Sequence, residues 1–108
     1  VSDDSGLPNT SEGKRELHMK NQNERALAFR NYVSAALRHP NLIGYHWFEH
    51  VDQPKEGRFD GQNANYGIVD IEDRPYSPLV EMMAEVNADA EQIHASARYP
   101  WYPAIPPP

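Results

Sequence analysis

A cluster of polar and aromatic side chains occupies a short stretch near the middle of the sequence. Its members are His46, Trp47, Glu49, His50, Asp52 and Gln53. A Trp ring offers a flat apolar face with a polar edge, which suits stacking on a sugar ring. Carboxylate and amide groups make directional hydrogen bonds to hydroxyls. These residue types favour carbohydrate binding, although an alternative places Tyr45, Trp47 and Phe48 simply in a hydrophobic core.

The same stretch contains residue types for two other chemistries, which its spacing disfavours. His46 and His50 are metal-ligand types, but residues four apart on a strand lie ~13 Å apart, so both cannot bind one ion without a sharp bend. Glu49 and Asp52 form an acidic pair of the kind used in glycoside hydrolysis. Both lie on one short segment, however, so we interpret Glu49 as a hydroxyl-binding or structural residue.

A long polar segment follows, from Glu49 to Pro75, rich in Asp, Asn, Gln and Gly. Loops of this length inside a compact domain are usually functional. Four of its side chains are of types that bind Ca²⁺, namely Asp60, Asn63, Asn65 and Asp70. Their spacing does not match the twelve-residue calcium loop. We favour an ordered loop held by turns in which Asx side chains bond to the backbone, and we predict no metal and no cofactor.

Two helices must hold these segments in place. The first has a buried face drawn through Phe29, Val33, Ala36 and Leu37, and Pro40 ends it. The second is predicted over about residues 77–97, with Ser77 as its cap and Pro78 at its first position. Its apolar stripe consists of Leu79, Met82, Met83, Val86 and Ile93.

Residues 42–48 are apolar or aromatic on both faces, which is typical of a strand covered on both sides in a parallel sheet. Such a strand needs partners at both edges, because its backbone groups must be hydrogen-bonded. The sequence offers no convincing partner strand. We therefore predict an α/β fold in which residues 1–98 form the last helix–strand–helix units of a (β/α)₈ TIM barrel, with residues 99–108 as a Pro- and aromatic-rich C-terminal tail. In such barrels the loops after the strands build the active site.

Composition limits the possible partners. The chain has 108 residues, with 10 Lys and Arg against 16 Asp and Glu, and a formal net charge of −6. This balance argues against a general nucleic-acid binder, which would carry a basic stripe. No apolar run approaches the roughly 20 residues of a membrane span. Cysteine is absent from the sequence, which excludes disulfides and Cys-ligated zinc.

Several short motifs in this region resemble a known group of enzymes. Residues 42–54 resemble the eighth strand and following loop of a clan A barrel glycoside hydrolase, and residues 57–76 are similar to the C-terminal end of agarase-like enzymes. Residues 4–9 resemble the loop after the seventh strand of those enzymes. The motifs concerned are Trp47-Phe48, Asp52-Gln53-Pro54, Gly57-Arg58, Asp60-Gly61 and Asn65-Tyr66-Gly67. Glycoside hydrolase family 50, the β-agarases, is the family that they resemble most.

The resemblance implies a retaining hydrolase of a β-linked, agarose-type galactan that works through two glutamates. Both would lie before Val1, so no catalytic residue is expected in this chain. The implied partners are a polysaccharide or oligosaccharide substrate and the N-terminal remainder of the barrel, and the implied location is secreted or periplasmic. Trp47 matches the aromatic platform of the family, whereas Glu49 stands where many relatives have Gln, and Gln62 where Glu is common. The predicted substrate-binding residues are His46, Trp47, Glu49, Asp52, Gln53, Arg58, Asn63 and Asn65.

Two readings from other functional classes remain open at this point. A non-catalytic carbohydrate-binding module fits the aromatic and Asx-rich composition, but the helix–strand–helix order does not suit the usual β-sandwich. An interaction protein is the second alternative, in which residues 99–103 dock in the groove of a partner.

Overall fold

The computed structural model describes residues 1–10 and 17–97 of the chain. Two α-helices dominate this part, α1 over Gln22–Leu37 and α2 over Ser77–Ala95. A short 3₁₀ helix covers Asp3–Ser5 near the start. None of the described helices is long and apolar enough to cross a membrane. The predicted C-terminal tail lies outside the described residues.

Both predicted helices form, and local signals explain where they begin and end. The side chain of Asn21 caps α1 by accepting a hydrogen bond from the backbone N–H of Glu24 at 2.9 Å. The helix ends at Leu37, shortly before Pro40, which disfavours helical backbone in the residue preceding it. The N-cap of α2 is Tyr76 rather than the predicted Ser77, so Pro78 occupies the second helical position instead of the first. The helix ends two residues earlier than the predicted position 97.

The core lies between the two helices. Phe29, Val33 and Leu37 of α1 pack in one cluster with Leu79, Met83 and Val86 of α2. These are residues of the predicted apolar faces, so the helical periodicity located the core correctly. Tyr45 and Trp47 extend the cluster because both rings meet Phe29 edge to face, with centroids 5.4 and 5.8 Å away.

The predicted strand over residues 42–48 is not formed, and the described residues contain no sheet. A strand requires a neighbouring backbone to complete its hydrogen-bond ladder. Within the described part of the chain, no residue from 43 to 48 makes a backbone–backbone hydrogen bond. Much of the segment is also open to solvent, since Ile43 is 90% exposed and Phe48 62% exposed. The segment therefore packs on the core through Tyr45 and Trp47, while residues 43–48 have no backbone hydrogen-bond partner within residues 1–10 and 17–97.

The long segment between residues 49 and 76 folds back on itself through single backbone pairings. Val69 forms an isolated parallel bridge with Val51 and an antiparallel one with Pro75. The start of the loop, its middle and the beginning of α2 are therefore held side by side. This arrangement places the predicted site residues around one compact loop.

Candidate functional site

The buried carboxylate of Asp52 organises this loop. One carboxylate oxygen accepts hydrogen bonds from the side-chain amide of Asn65 and the backbone N–H of Gly67, both at 2.8 Å. The other oxygen accepts a hydrogen bond from the hydroxyl of Tyr76, at the N-cap of α2. A buried charge is tolerated only when its oxygens are paired in this way. Asp52 therefore joins three separate positions of the chain.

Asn65 carries the same network outward to the N-terminal loop and to α1. Its side chain is fully buried, and its side-chain oxygen accepts a hydrogen bond from Gln22 at 3.1 Å. Its backbone N–H donates to the side chain of Asn9 at 2.9 Å. Asn9 in turn donates to the carbonyl of Ser2 at 2.9 Å. The N-terminal loop and the long loop thus share one buried polar network.

Gly67 is required in this network by close packing. A Cβ at this position would lie 2.3 Å from the backbone nitrogen of Asp52 and 2.3 Å from the carbonyl oxygen of Val69. No side chain larger than hydrogen fits such a space without movement of the backbone. The predicted Asn65-Tyr66-Gly67 motif therefore reflects a close approach of two stretches of backbone.

Gln53 and Asn63 are also buried and turned inward. Gln53 accepts a hydrogen bond from the backbone N–H of Ala64 at 2.9 Å and donates to the side chain of Gln62 at 2.6 Å. Asn63 donates to the carbonyl of Lys55 at 3.0 Å, while its side-chain oxygen is buried without a hydrogen-bond partner among the described residues. Both side chains fix the shape of the loop around Gly57, where the backbone has a left-handed φ of 81°.

A second group of side chains lies at the surface around the carbonyl of Tyr66. The indole N–H of Trp47 donates to this carbonyl at 2.8 Å, and the backbone N–H of Glu49 donates to it at 3.4 Å. The hydroxyl of Tyr66 accepts a hydrogen bond from Gln62 at 3.2 Å, and Gln62 accepts one from Arg58 at 3.0 Å. Tyr66 and Gln62 therefore connect Trp47, Glu49 and Arg58, although neither was among the predicted site residues.

Trp47 and Glu49 are half-buried, whereas His46 and Arg58 are exposed. One carboxylate oxygen of Glu49 is buried without a hydrogen-bond partner among the described residues. Arg58 also forms an ion pair with Asp60 at 3.4 Å. This surface group combines an aromatic face with a carboxylate and a guanidinium, and His46 lines the cavity beside the same Trp47 ring. Such side chains can stack on a sugar ring and bond to its hydroxyls.

Arg25 is a buried residue that the sequence interpretation did not identify. Its side chain is 3% exposed, and it donates to the carbonyl of Gly67 at 2.8 Å. Burial lowers the pKa of its guanidinium, while the nearby carboxylate of Asp52 acts in the opposite direction. One signal in the sequence points to it, because Arg25 lies one helical turn before Phe29 and therefore on the apolar face of α1.

A cavity of about 320 Å³ opens beside Trp47. Its walls are mainly apolar, and Arg25 and His46 are its members with basic side chains. The remaining lining residues are Val1, Leu17, Met19, Ala28, Phe29, Tyr32, Val33, Tyr45 and Trp47. Among the described residues, no three His, Cys, Asp or Glu side chains come together to hold a metal ion.

Comparison with known proteins identifies relatives of this chain. No family model matches it. β-Agarase B of Vibrio sp. (strain JT0107) is 43% identical over 73 residues, which cover 67% of this chain and 8% of that protein. β-Agarase A of the same strain is 35% identical over 72 residues, covering 66% of this chain and 7% of that protein.

Solved structures give the same relationship. The agarase AgWH50C matches with a TM-score of 0.77 and 33% identity, over 86% of this chain and 14% of that one. An exo-β-agarase matches with a TM-score of 0.74 and 33% identity, over 86% of this chain and 12% of the exo-β-agarase chain. PfGH50B matches with a TM-score of 0.70 and 34% identity, over 73% of this chain and 12% of the PfGH50B chain. The chain is a homologue of part of the family 50 β-agarases.

The match covers only a small share of each relative. The chain spans less than a tenth of the length of the curated β-agarases that it matches. It therefore corresponds to a small piece of larger glycoside hydrolases. The buried network around Asp52 and the surface group around Tyr66 both lie within this β-agarase-like piece.

The predicted site residues divide into two sets in this β-agarase homologue. Asp52, Gln53, Asn63 and Asn65 have buried side chains that are committed to internal hydrogen bonds. His46, Trp47, Glu49 and Arg58 reach the surface. Substrate binding stays a prediction for all eight, but only the second set presents side-chain surface to a ligand.

Proposed function

We propose that this chain is part of a retaining glycoside hydrolase that cleaves a β-linked galactan of the agarose type. The observation that carries the proposal is the 43% identity to β-agarase B. The geometry supports it, because the half-buried indole of Trp47 is held by the carbonyl of Tyr66 beside Glu49. This group has the composition expected of a subsite that stacks on one sugar and bonds to its hydroxyls.

In this proposal, residues 42–48 supply the eighth strand of a (β/α)₈ barrel and the loop after it binds substrate. Two observations support this placement. The backbone of residues 43–48 has no hydrogen-bonded partner within the described part of the chain, and Ile43 is 90% exposed. An eighth strand would gain partners at both edges in a closed barrel. The N-terminal remainder of the barrel is thus the proposed partner of this chain.

The chain contributes positioning rather than the reacting carboxylates. Retaining glycosidases use two carboxyl groups about 5–5.5 Å apart, one as nucleophile and one as acid/base. We place both outside this chain. Trp47 would fix the plane of the sugar ring, and His46, Glu49 and Arg58 would bond to its hydroxyls, so that the scissile bond is held in line with those carboxyl groups. The same proposal includes a secreted or periplasmic location, where the enzyme would have access to polymeric agarose.

A chimeric enzyme tests this function directly. The matching segment of β-agarase B is replaced by this chain, and release of reducing ends from agarose is measured. We expect the chimera to be active. Replacing Trp47 with Ala should lower kcat/KM by about 10- to 100-fold, because the sugar loses its platform and its alignment.

Leu27→Ala on the outer side of α1 serves as the control, and it should leave activity unchanged. A folded chimera without activity on agarose, or one in which Trp47→Ala has no effect, would contradict the proposal. Saturable binding of agaro-oligosaccharides by the chain, combined with an inactive chimera, would instead support a non-catalytic carbohydrate-binding module.

A further inference from the structure

We propose that Arg25 is a positioning residue that sets the orientation of the Trp47 ring and thereby determines how the indole is presented to substrate. The inference rests on the proposed function in one respect, since it assumes that Trp47 stacks on a sugar. The positioning itself is a property of the described contacts and can be tested without substrate.

The first observation is that the guanidinium lies close to two aromatic rings. Its central carbon lies 5.4 Å from the centroid of the Trp47 ring and 5.7 Å from that of the Tyr76 ring. Planar guanidinium groups stack on aromatic faces, and the attraction strengthens when the pair is desolvated. At 3% exposure, Arg25 is desolvated here.

The second observation is that the other contacts of Trp47 restrain it incompletely. Its indole N–H is bound to the carbonyl of Tyr66 at 2.8 Å, which fixes one edge of the ring. Phe29 meets it edge to face at 5.8 Å, with 66° between the planes. A single hydrogen bond at one edge still permits the ring to tilt. A cation against the ring face opposes that tilt and so holds the indole in one orientation beside the cavity that Trp47 and Arg25 both line.

The third observation is that Arg25 is itself held firmly. It donates to the carbonyl of Gly67 at 2.8 Å and to the side chain of Gln22 at 3.3 Å. Gly67 is bound in turn to the carboxylate of Asp52. The guanidinium thus links α1, the buried network and Trp47. Lys would keep the charge but could not reproduce the planar, forked contact.

The spectroscopic test uses the full chain with Trp101→Phe, so that Trp47 is its one remaining Trp. Arg25→Lys and Arg25→Met are compared with Arg30→Met, a control at an exposed position on the same helix. We expect both Arg25 variants to lose near-ultraviolet circular dichroism from Trp47 and to show increased acrylamide quenching of its fluorescence. The Arg30 variant should resemble the parent. Arg25→Lys keeps a buried cation, so it provides the folded comparison if Arg25→Met does not fold.

The functional test uses the same substitutions in the chimeric agarase. A displaced platform should raise KM for agarose about tenfold while kcat changes less, because the sugar loses stacking contact with the displaced ring. A purely structural role would lower the melting temperature and the amount of active enzyme without moving KM or the Trp47 signals. A lower melting temperature with unchanged KM and unchanged Trp47 signals would therefore overturn the inference. If the parent chimera is inactive, the proposed function fails, while the spectroscopic comparison still tests Arg25.

Discussion

At the residue scale, the same side-chain types serve two purposes in this loop. Asp52 and Asn65 have the chemistry of hydroxyl-binding residues, yet their polar groups are hydrogen-bonded inside the molecule. Sequence could not separate them from Trp47 and Glu49, because an irregular loop has no periodicity that distinguishes inward from outward positions. The prediction of Asx turns is confirmed at Asp60 and at Asp70, each of which accepts a hydrogen bond from the backbone N–H two residues later.

The first prediction concerns the buried carboxylate of Asp52. Replacement by Asn keeps the size of the side chain but turns one acceptor oxygen into an N–H₂ donor. That donor would face another donor, either the Tyr76 hydroxyl or the N–H groups of Asn65 and Gly67, so hydrogen bonds are lost. We expect a loss of about 2 kcal/mol in the free energy of unfolding, the usual worth of hydrogen bonds to a charged group. Urea denaturation followed by circular dichroism measures it.

Asp73→Asn is the matched control for this substitution. Asp73 is exposed and has a left-handed φ of 59°, a conformation that Asn also tolerates. Its replacement removes the same charge from the surface, so stability should change little. Equal effects of the two substitutions would show that net charge, rather than the network, is responsible.

At the level of secondary structure, both helices were predicted correctly from the sequence, whereas the strand predicted over residues 42–48 does not form. The apolar residues of α1 and α2 repeat with the helical period, and each helix can satisfy its own backbone hydrogen bonds. A strand depends on a second stretch of backbone elsewhere. Residues 42–48 have the composition of a doubly covered strand, but the described residues provide no ladder for them. The bends of the loop depend on contacts such as that of Gly67, which are also distant in sequence.

The second prediction tests the closure of the loop at Gly67. Gly67→Ala should destabilise the chain by about 3 kcal/mol, because the new Cβ would overlap backbone atoms that cannot move independently. Gly44→Ala is the control, since a Cβ at Gly44 meets nothing within 4 Å. Thermal melting of the two variants gives the comparison. Similar melting temperatures for both would refute the close approach of residues 52, 67 and 69.

The third prediction concerns the turn that leads into α2. Asp70 accepts hydrogen bonds from the backbone N–H groups of Arg74 and Glu72, and it pairs with the guanidinium of Arg74. The bond from the Arg74 backbone is the leading cause that holds the pKa of Asp70 below its ordinary value of 3.8. A carboxylate with a lowered pKa stabilises the fold above the unfolded value, and this contribution is lost as pH falls through the folded value.

Asp70→Asn should therefore melt at a lower temperature than the parent at pH 7. The difference should shrink as the pH falls below about 4. Melting temperatures of both proteins between pH 2.5 and pH 7 test this. A difference that stays constant across the range would mean that the charge of Asp70 does not stabilise the turn.

At the scale of the whole molecule, the proposed barrel accounts for large apolar side chains that this chain leaves exposed. Leu17, Tyr32, Ile43 and Phe48 are between 62% and 90% exposed. Soluble proteins rarely leave large apolar patches uncovered, and such patches mark contact surfaces. Leu17 and Tyr32 also line the cavity beside Trp47. The proposed barrel predicts that these side chains become buried in the complete enzyme.

The fourth prediction uses Ile43→Lys in two settings. In the chain alone the side chain has little packing to lose, so the free energy of unfolding should change by less than about 0.5 kcal/mol. In the chimera the same Lys would enter an apolar interior without a partner, and we expect the enzyme to lose its fold and its activity. Leu27→Lys is the control, because Leu27 lies on the side of α1 away from Phe29 and should be tolerated in both settings. Loss of stability only in the chimera supports burial by the remainder of the barrel, whereas tolerance in both would place Ile43 at the surface of the assembled enzyme.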